Sequence, residues 1–296
     1  MKGFDKRFSD LPDYILKCTA QIWEGRDIAA LDWHYSDDLL VRSPAGINRG
    51  NTSGKSNTMA TLSEFPDREL FGEDVLWCGD EEVGFLSSHR IFSTATHRGG
   101  AFGPETGERV SFRTIADTYC YKNRVWDEWL IRDNAAIALQ LGQNAKDAAI
   151  AMINRGDRDT PLTPTNDVVG PYKGSGNTEE WGELHANILR QIMTADFSVI
   201  KEEYDRACHL SLPGGQEVHG WSEADKFWIG LRSAFPTAEF KIFHQMGCVD
   251  PLLSPRSAIR WSLTGSHDGW GRYGSPTGSN VHIMGVSHVE VGPWGL

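Results

Sequence analysis

The sequence lacks any stretch long and apolar enough to cross a membrane. Its longest apolar runs, around Ala135–Leu139 and Ala148–Ile153, fall far short of the ~20 residues that a spanning helix requires. It has no run of Lys and Arg, and a formal net charge of −11 opposes any phosphate backbone, so neither nucleic acid nor membrane is expected as a partner. The amino terminus, MKGFDKRFSDLPDYILK, carries charges with no following apolar segment, which is not the pattern of a secretory signal. A cytoplasmic location is the remaining expectation. Cysteine is sparse: Cys18, Cys78, Cys120, Cys208 and Cys248 form an odd, scattered set without Cys-x-x-Cys spacing, and they read as reduced packing residues. His282 and His288 have no third ligand at a usual spacing, so no metal is expected there.

What the chain does have is ordinary globular composition, 40% hydrophobic and 23% charged, and an internal repeat. An Arg, a His-x-Gly seven residues on, a Pro, and a Thr-Gly turn before an alternating strand occur at Arg90, His97, Gly99, Pro104, Thr106 and Gly107. They recur at Arg260, His267, Gly269, Pro276, Thr277 and Gly278. The offset is 169 residues at Tyr35/Tyr204, 170 at Phe65/Phe235 and 171 at Gly107/Gly278, a drift that small loop insertions explain. A length of 296 residues accommodates two such modules of about 130–150 residues, each able to bury a core.

Apolar residues at three- and four-residue steps predict a helix over Pro12–Trp23, then a short helix over Asp27–Trp33 and a third over Lys55–Phe65. Strands are expected around Leu39–Val41, Leu70–Trp77, Glu82–Thr96, Arg109–Tyr121 and Val125–Asn134. Trp181–Met193 repeats the first helix. The expected division is a first domain over 1–154, a Gly/Pro/Thr/Asp-rich linker over 155–178 and a second domain over 179–296. Leu296 falls opposite Val125, so the second copy is expected to lack its last strand through truncation.

The segments YSDDLLVRSPAG, THRGGAFGPETGERVSF and VWDEWLIRDNAAIALQLG, with RWSLTGSHDGWGRYGSPTGSNVHI and YDRACHLSLPGG in the second copy, resemble the SnoaL-like polyketide cyclases. The resemblance covers both copies and not the linker. It implies an α+β fold of two tandem cone-shaped barrels of the nuclear transport factor 2-like type, each a curved antiparallel sheet wrapped against helices around a pocket. It implies intramolecular aldol ring closure without metal or organic cofactor, with an acid at the end of the last strand as base. Asp133 matches that acid in the W-x-x-x-D ending. The two copies are expected to pack as a pseudo-dimer within one chain, with further homo-oligomerisation left open.

Strand alternation puts Trp129, Ile131 and Asp133 on one face, where a desolvated carboxylate would be a stronger base toward a C–H acid. Arg113, Ile115, Asp117 and Tyr119 share a face of the neighbouring strand; turned inward, Asp117 and Tyr119 would join the pocket and Tyr119 would donate to an enolate oxygen. His288 stands in the second copy where the first has Asp117. His97 and His267 are either general acids and donors to a substrate carbonyl or turn-capping residues. The odd separation turns Arg90 and Arg260 away from them unless a bulge intervenes; the expectation is His97 at a pocket mouth and Arg90 in a partly buried ion pair. Tyr35, Trp129 and Trp270 are core or pocket-lining aromatics, fit in the second case for an aromatic or polycyclic ligand. GNTSGKS at Gly50–Ser56 has three residues between its glycines, not the four of a phosphate-binding loop, and Asn51-Thr52-Ser53 means nothing for glycosylation without a secretory signal. The reading is a cofactor-independent cyclase-type enzyme acting on a small hydrophobic or aromatic carbonyl compound, with a non-catalytic ligand-binding protein or an isomerase or hydrolase of the same fold as alternatives.

Overall fold

The computed structural model describes residues 1–154 and 160–296; residues 155–159, at the start of the expected linker, lie outside the described residues. The chain divides into two compact units, Met1–Lys173 with Pro213–Gly215, and Gly174–Leu212 with Gln216–Leu296.

In the first unit, α1 (Leu11–Thr19) begins where the Asp10 carboxylate accepts a hydrogen bond from the Asp13 N–H at 2.8 Å, with Pro12 in the first turn. It buries Leu11, Tyr14, Ile15 and Cys18 and then widens into one π turn over Ala20–Glu24. A 3-10 turn capped by Asp27 leads into α2 (Leu31–His34). Next come β1 (Tyr35–Ser43), β2 (Gly46–Arg49) and α3 (Asn51–Glu64). Helix α3 starts four residues before the expected Lys55, because the Asn51 carboxamide donates to Leu31 O at 2.9 Å and to Asp32 Oδ1 at 3.0 Å. The Lys55 ammonium pairs with Asp32, so GNTSGKS is the opening of a helix held by side chains and not a phosphate cradle.

The meander follows as β3 (Glu69–Asp80), β4 (Gly84–Thr96), β5 (Arg109–Tyr121) and β6 (Arg124–Arg132), then α4 (Asn134–Gln140) and α5 (Ala145–Asn154). The sheet order is β2-β1-β6-β5-β4-β3, with β1 and β6 parallel and the other neighbours antiparallel. Lys122 and Asn123, both at positive φ, make the two-residue turn between β5 and β6. The β3–β4 register shifts between Gly72 and Asp74. A Cβ on Gly72 would lie 2.6 Å from Leu16 Cδ2 and 3.1 Å from His89 Nε2, so α1 seats on bare backbone there.

The second unit contains α6 (Glu180–Met193), α7 (Ser198–Glu203), the hairpin of β7 (His209–Leu212) and β8 (Gln216–His219), α8 (Trp221–Ala234), and a sheet of β9 (Glu239–Cys248), β10 (Arg256–Ser266) and β11 (Asn280–Glu290) in the order β11-β10-β9. Among the described residues no strand joins the hairpin to the sheet, the place β6 fills in the first unit. One continuous apolar core runs from Ile188, Leu189 and Ile192 of α6 through Phe227, Trp228 and Leu231 of α8 to Ile259, Trp261 and Leu263 of β10. All five cysteines are free thiols. No helix among the described residues is long and apolar enough to cross a membrane.

A Cβ at Gly285 would fall inside the buried Trp261 ring, which cannot swing aside because its Nε1 donates to Ser287 Oγ at 3.0 Å. Gly285→Ala therefore destabilises the second unit, by about 1–3 kcal/mol for overpacking of this kind. Urea unfolding followed by tryptophan fluorescence checks it.

Candidate active site on the concave face of the first unit

Register and alternation sort the sheet into two faces. On β5, Val110 and Phe112 pack with Phe65 and the α4 residues Ala136–Ala138, and Cys120 packs with α1, so Val110, Phe112, Thr114, Ala116, Thr118 and Cys120 face the helices. Their partners share that face: Ser87, His89, Ile91 and Ser93 on β4, and Glu128, Leu130 and Arg132 on β6. Between the α1 cluster and the α4 cluster this face interleaves polar groups with Ile91, Ala116 and Leu130.

Glu128 is buried, and its carboxylate makes no hydrogen bond or ion pair among the described residues. Burial, with Asp127 adding a like charge, pushes its pKa up to about 7. Tyr35 lies close enough to Glu128 for the two to interact; burial drives its phenol well above the ordinary value and its hydroxyl has no partner among the described residues. Burial lowers His89 to about 4, so the imidazole is neutral at neutral pH, and its Nε2 is buried without a hydrogen-bond partner. Thr114 Oγ1 is likewise unpartnered.

At the other end of the strip, Arg68 donates Nε and Nη2 to Ser93 Oγ at 3.1 and 3.0 Å, with its guanidinium 5.2 Å from the ring centres of both Trp23 and Phe112. Burial, with Arg132 nearby, brings its pKa down to about 9, which leaves it charged at neutral pH. Arg132 is lowered by burial, against the opposing charge of Glu64, although part of its surface stays accessible.

Asp133 lies elsewhere. It caps α4, one oxygen accepting from the Ala136 N–H at 2.9 Å and the other from the N–H groups of Gly214 and Gly215, which cluster with this unit, at 2.8 and 2.9 Å. Asp117, Tyr119, Arg113 and Trp129 group as alternation predicts, but on the face turned away from the helices, which corrects their expected place in the pocket. Asp117 is fully buried and accepts from Ser88 Oγ. Tyr119 donates to Val83 O at 2.7 Å. Arg113 and Arg90 both pair with Glu73, at 2.9 and 3.3 Å. Trp129 is buried in register with Asp117.

His97 is not at a mouth. It is wholly buried against Phe65, with Nδ1 3.0 Å from Thr106 Oγ1 and Nε2 3.4 Å from Glu64 Oε1, so it pins the 97–107 loop.

The second unit repeats the frame without the polar strip. His267 Nδ1 sits 3.2 Å from Thr277 Oγ1, beside Phe235. Where the first unit has Glu64, Arg68, His89, Ile91 and Ser93, the second has Ala234, Ala238, Ile259, Trp261 and Leu263, all buried in its core. Arg260 and His288 lie on the face opposite that core, since they alternate with Ile259, Trp261 and Ser287. Trp270 is 72% exposed.

The chain is similar to solved structures of SnoaL-like polyketide cyclases and their relatives. One from Agrobacterium tumefaciens is 19% identical, with a TM-score of 0.37, over 46% of this chain and 100% of that one. IdmH from Streptomyces antibioticus, provisionally named a polyketide cyclase, is 22% identical, with a TM-score of 0.39, over 45% of this chain and 99% of its own. AclR from Streptomyces galilaeus, provisionally named a hydroxylase, is 23% identical, with a TM-score of 0.39, over 44% and 94%. No protein-family model matches the sequence, and no curated protein matches it significantly. The fold itself is α+β, with helices packed on the sheet of each unit.

The raised pKa of Glu128 has a thermodynamic consequence. Between about pH 4.5 and 7 the folded protein keeps a proton that the unfolded chain has released, so stability falls as pH rises through that window. The full cost above it is on the order of 3 kcal/mol. Glu128→Gln should flatten this slope and be the more stable protein at pH 8, as measured by chemical denaturation at a series of pH values.

Proposed function

We propose that the first unit is a cofactor-independent, SnoaL-like enzyme in which Glu128 is the base that takes a proton from carbon, and that its substrate is a small hydrophobic or aromatic carbonyl compound. The observation that carries this reading is the Glu128 carboxylate, buried on the helix-facing side of the sheet with no cation and no hydrogen-bond donor among the described residues. A carboxylate so placed is a stronger base than one in water and titrates near neutrality.

In the reaction Glu128 removes a proton from the carbon next to a carbonyl, and the C–H electron pair shifts to the carbonyl oxygen as an enolate. Tyr35 holds its phenolic proton across the working pH range and donates it as a hydrogen bond to that oxygen. The enolate carbon then attacks a second carbonyl of the same molecule. The new C–C bond closes a ring, and the proton on Glu128 passes to the resulting alkoxide. Ile91, Ala116 and Leu130 supply the apolar walls that keep the ketone desolvated. Asp133, occupied as a helix cap, has a supporting role in this scheme.

The test is deuterium uptake at the methyl carbon of 3-acetylbenzamide in D₂O, followed by proton NMR. Uptake should exceed background in the native protein, rise with pH through about 7, and drop by roughly 10²–10⁴ in Glu128→Gln. Asp133→Asn should exchange normally while losing about 1 kcal/mol of stability with its cap. Uptake unchanged in Glu128→Gln overturns the assignment; loss in Asp133→Asn alone gives the role to Asp133. Saturable binding with no exchange would make the protein a ligand holder.

A further inference from the structure

The helix-facing side of the first sheet holds more positive charge than its own residues balance. Arg68 has no carboxylate partner among the described residues; its hydrogen bonds go to the neutral Ser93 hydroxyl and its faces to two aromatic rings. Arg132 donates Nε to Asn134 Oδ1 at 2.8 Å and likewise makes no ion pair. The two are neighbours. Arg68 lies over Phe112, while Arg132 is in register with Thr114, the next inward residue of β5, and after burial the charge of Arg132 adds to the lowering of Arg68. Glu64, the acid nearest Arg132, is turned toward the 97–102 loop, where it accepts from the Phe102 N–H at 2.9 Å and faces His97 Nε2. Two like charges in a desolvated place are costly, and a planar guanidinium fixed between rings is preorganised to meet a planar anion.

Deepening the reading of Glu128 as base, we infer that Arg68 and Arg132 form a carboxylate-binding subsite, so that the substrate is a carbonyl compound that also carries a carboxylate. Glu128 and Arg132 are four residues apart on one strand face, a rise of roughly 13 Å. Both side chains project from that face, and their own reach together with a substituted aromatic ring is of the size that spans the gap. A carboxylate held bidentately by the arginines leaves the opposite end of such a molecule at Glu128. The same contacts fix its direction: the anionic end stays away from a base that must itself be ionised to act. The unpartnered Thr114 hydroxyl, beside Arg132, is a further donor to the same group.

The experiment is calorimetric titration with 3-acetylbenzoate and its neutral isostere 3-acetylbenzamide, carried out on both the native protein and Glu128→Gln. The benzoate should bind both proteins at least about tenfold tighter than the amide, as charge-assisted pairing to two guanidiniums implies. Arg68→Met and Arg132→Met should each bring the two affinities within about threefold, while Arg68→Lys, which keeps a charge but not the fork, retains part of the preference. Circular dichroism and urea midpoints establish that the variants are folded, and the comparison of the two compounds on native protein needs no variant. Equal affinities, a preference that survives in the Arg68→Met/Arg132→Met double variant, or no binding of either compound at millimolar concentration would overturn the subsite. Because the readout is binding in the presence and absence of Glu128, failure here leaves deuterium exchange of the amide untouched, and failure of that exchange leaves the binding preference standing.

Discussion

The register between β4 and β5 runs unbroken from Phe85↔Cys120 to Thr96↔Arg109, and the first unit depends on it. With a side-chain period of two, that register allows only two groupings, and packing against α1 and α4 selects one. The hydroxyl and apolar positions of β5 go inward; Arg113, Asp117 and Tyr119 go outward. Because β6 is in register with β5, the same selection sends Glu128 and Arg132 inward and leaves Trp129 outside. The desolvation of Glu128, the neutrality of His89 and the unbalanced arginines all follow from one choice of face.

The two units show how little of a fold must change to remove a site. Both keep the buried histidine against a phenylalanine and a threonine hydroxyl, because that contact closes the loop before the last long strand. They differ at a few inward positions. Ile259 and Trp261 stand in the second unit where the first has His89 and Ile91, and Ala238 stands in place of the cation at Arg68. Packing of the second kind contributes to stability directly, whereas buried polar groups without partners cost free energy that the rest of the first unit has to offset.

Much of this was legible in the sequence. The helices at Pro12–Trp23 and Trp181–Met193 and the four-strand meander announce themselves through apolar spacing and turn residues, and alternation correctly grouped Asp117 with Tyr119 and Trp129 with Ile131. Alternation gives groups without saying which one is buried against helices, and the more polar, more chemical-looking group was taken for the pocket. The corrective signal was present: Val110, Phe112, Ala116 and Cys120 are the apolar alternates of β5, and the face they define contains Glu128. Arg68 offered no such signal, since it precedes β3 in a turn and reaches its place through Trp23, Phe112 and Ser93, contacts distant in sequence. Asp133 drew attention as the last acid of a strand, but the residue after a strand and before a helix is also where a cap belongs.

Gly72 bears on the size of molecule the proposed site would admit. On the β3 side the wall at Gly72 is main chain alone, and Leu16 and His89 both crowd the place where a Cβ would stand. It is already at minimum thickness, so no substitution there can make more room, and any added atom subtracts from it. Enlargement for a bulkier guest has to come from the β6 side, where Leu130 keeps some accessible surface and has side-chain volume to give up. In the proposed site the β3 wall is thus fixed in dimension while the β6 wall beside Glu128 is adjustable, which makes Leu130 the position at which to alter guest size without touching the carboxylate.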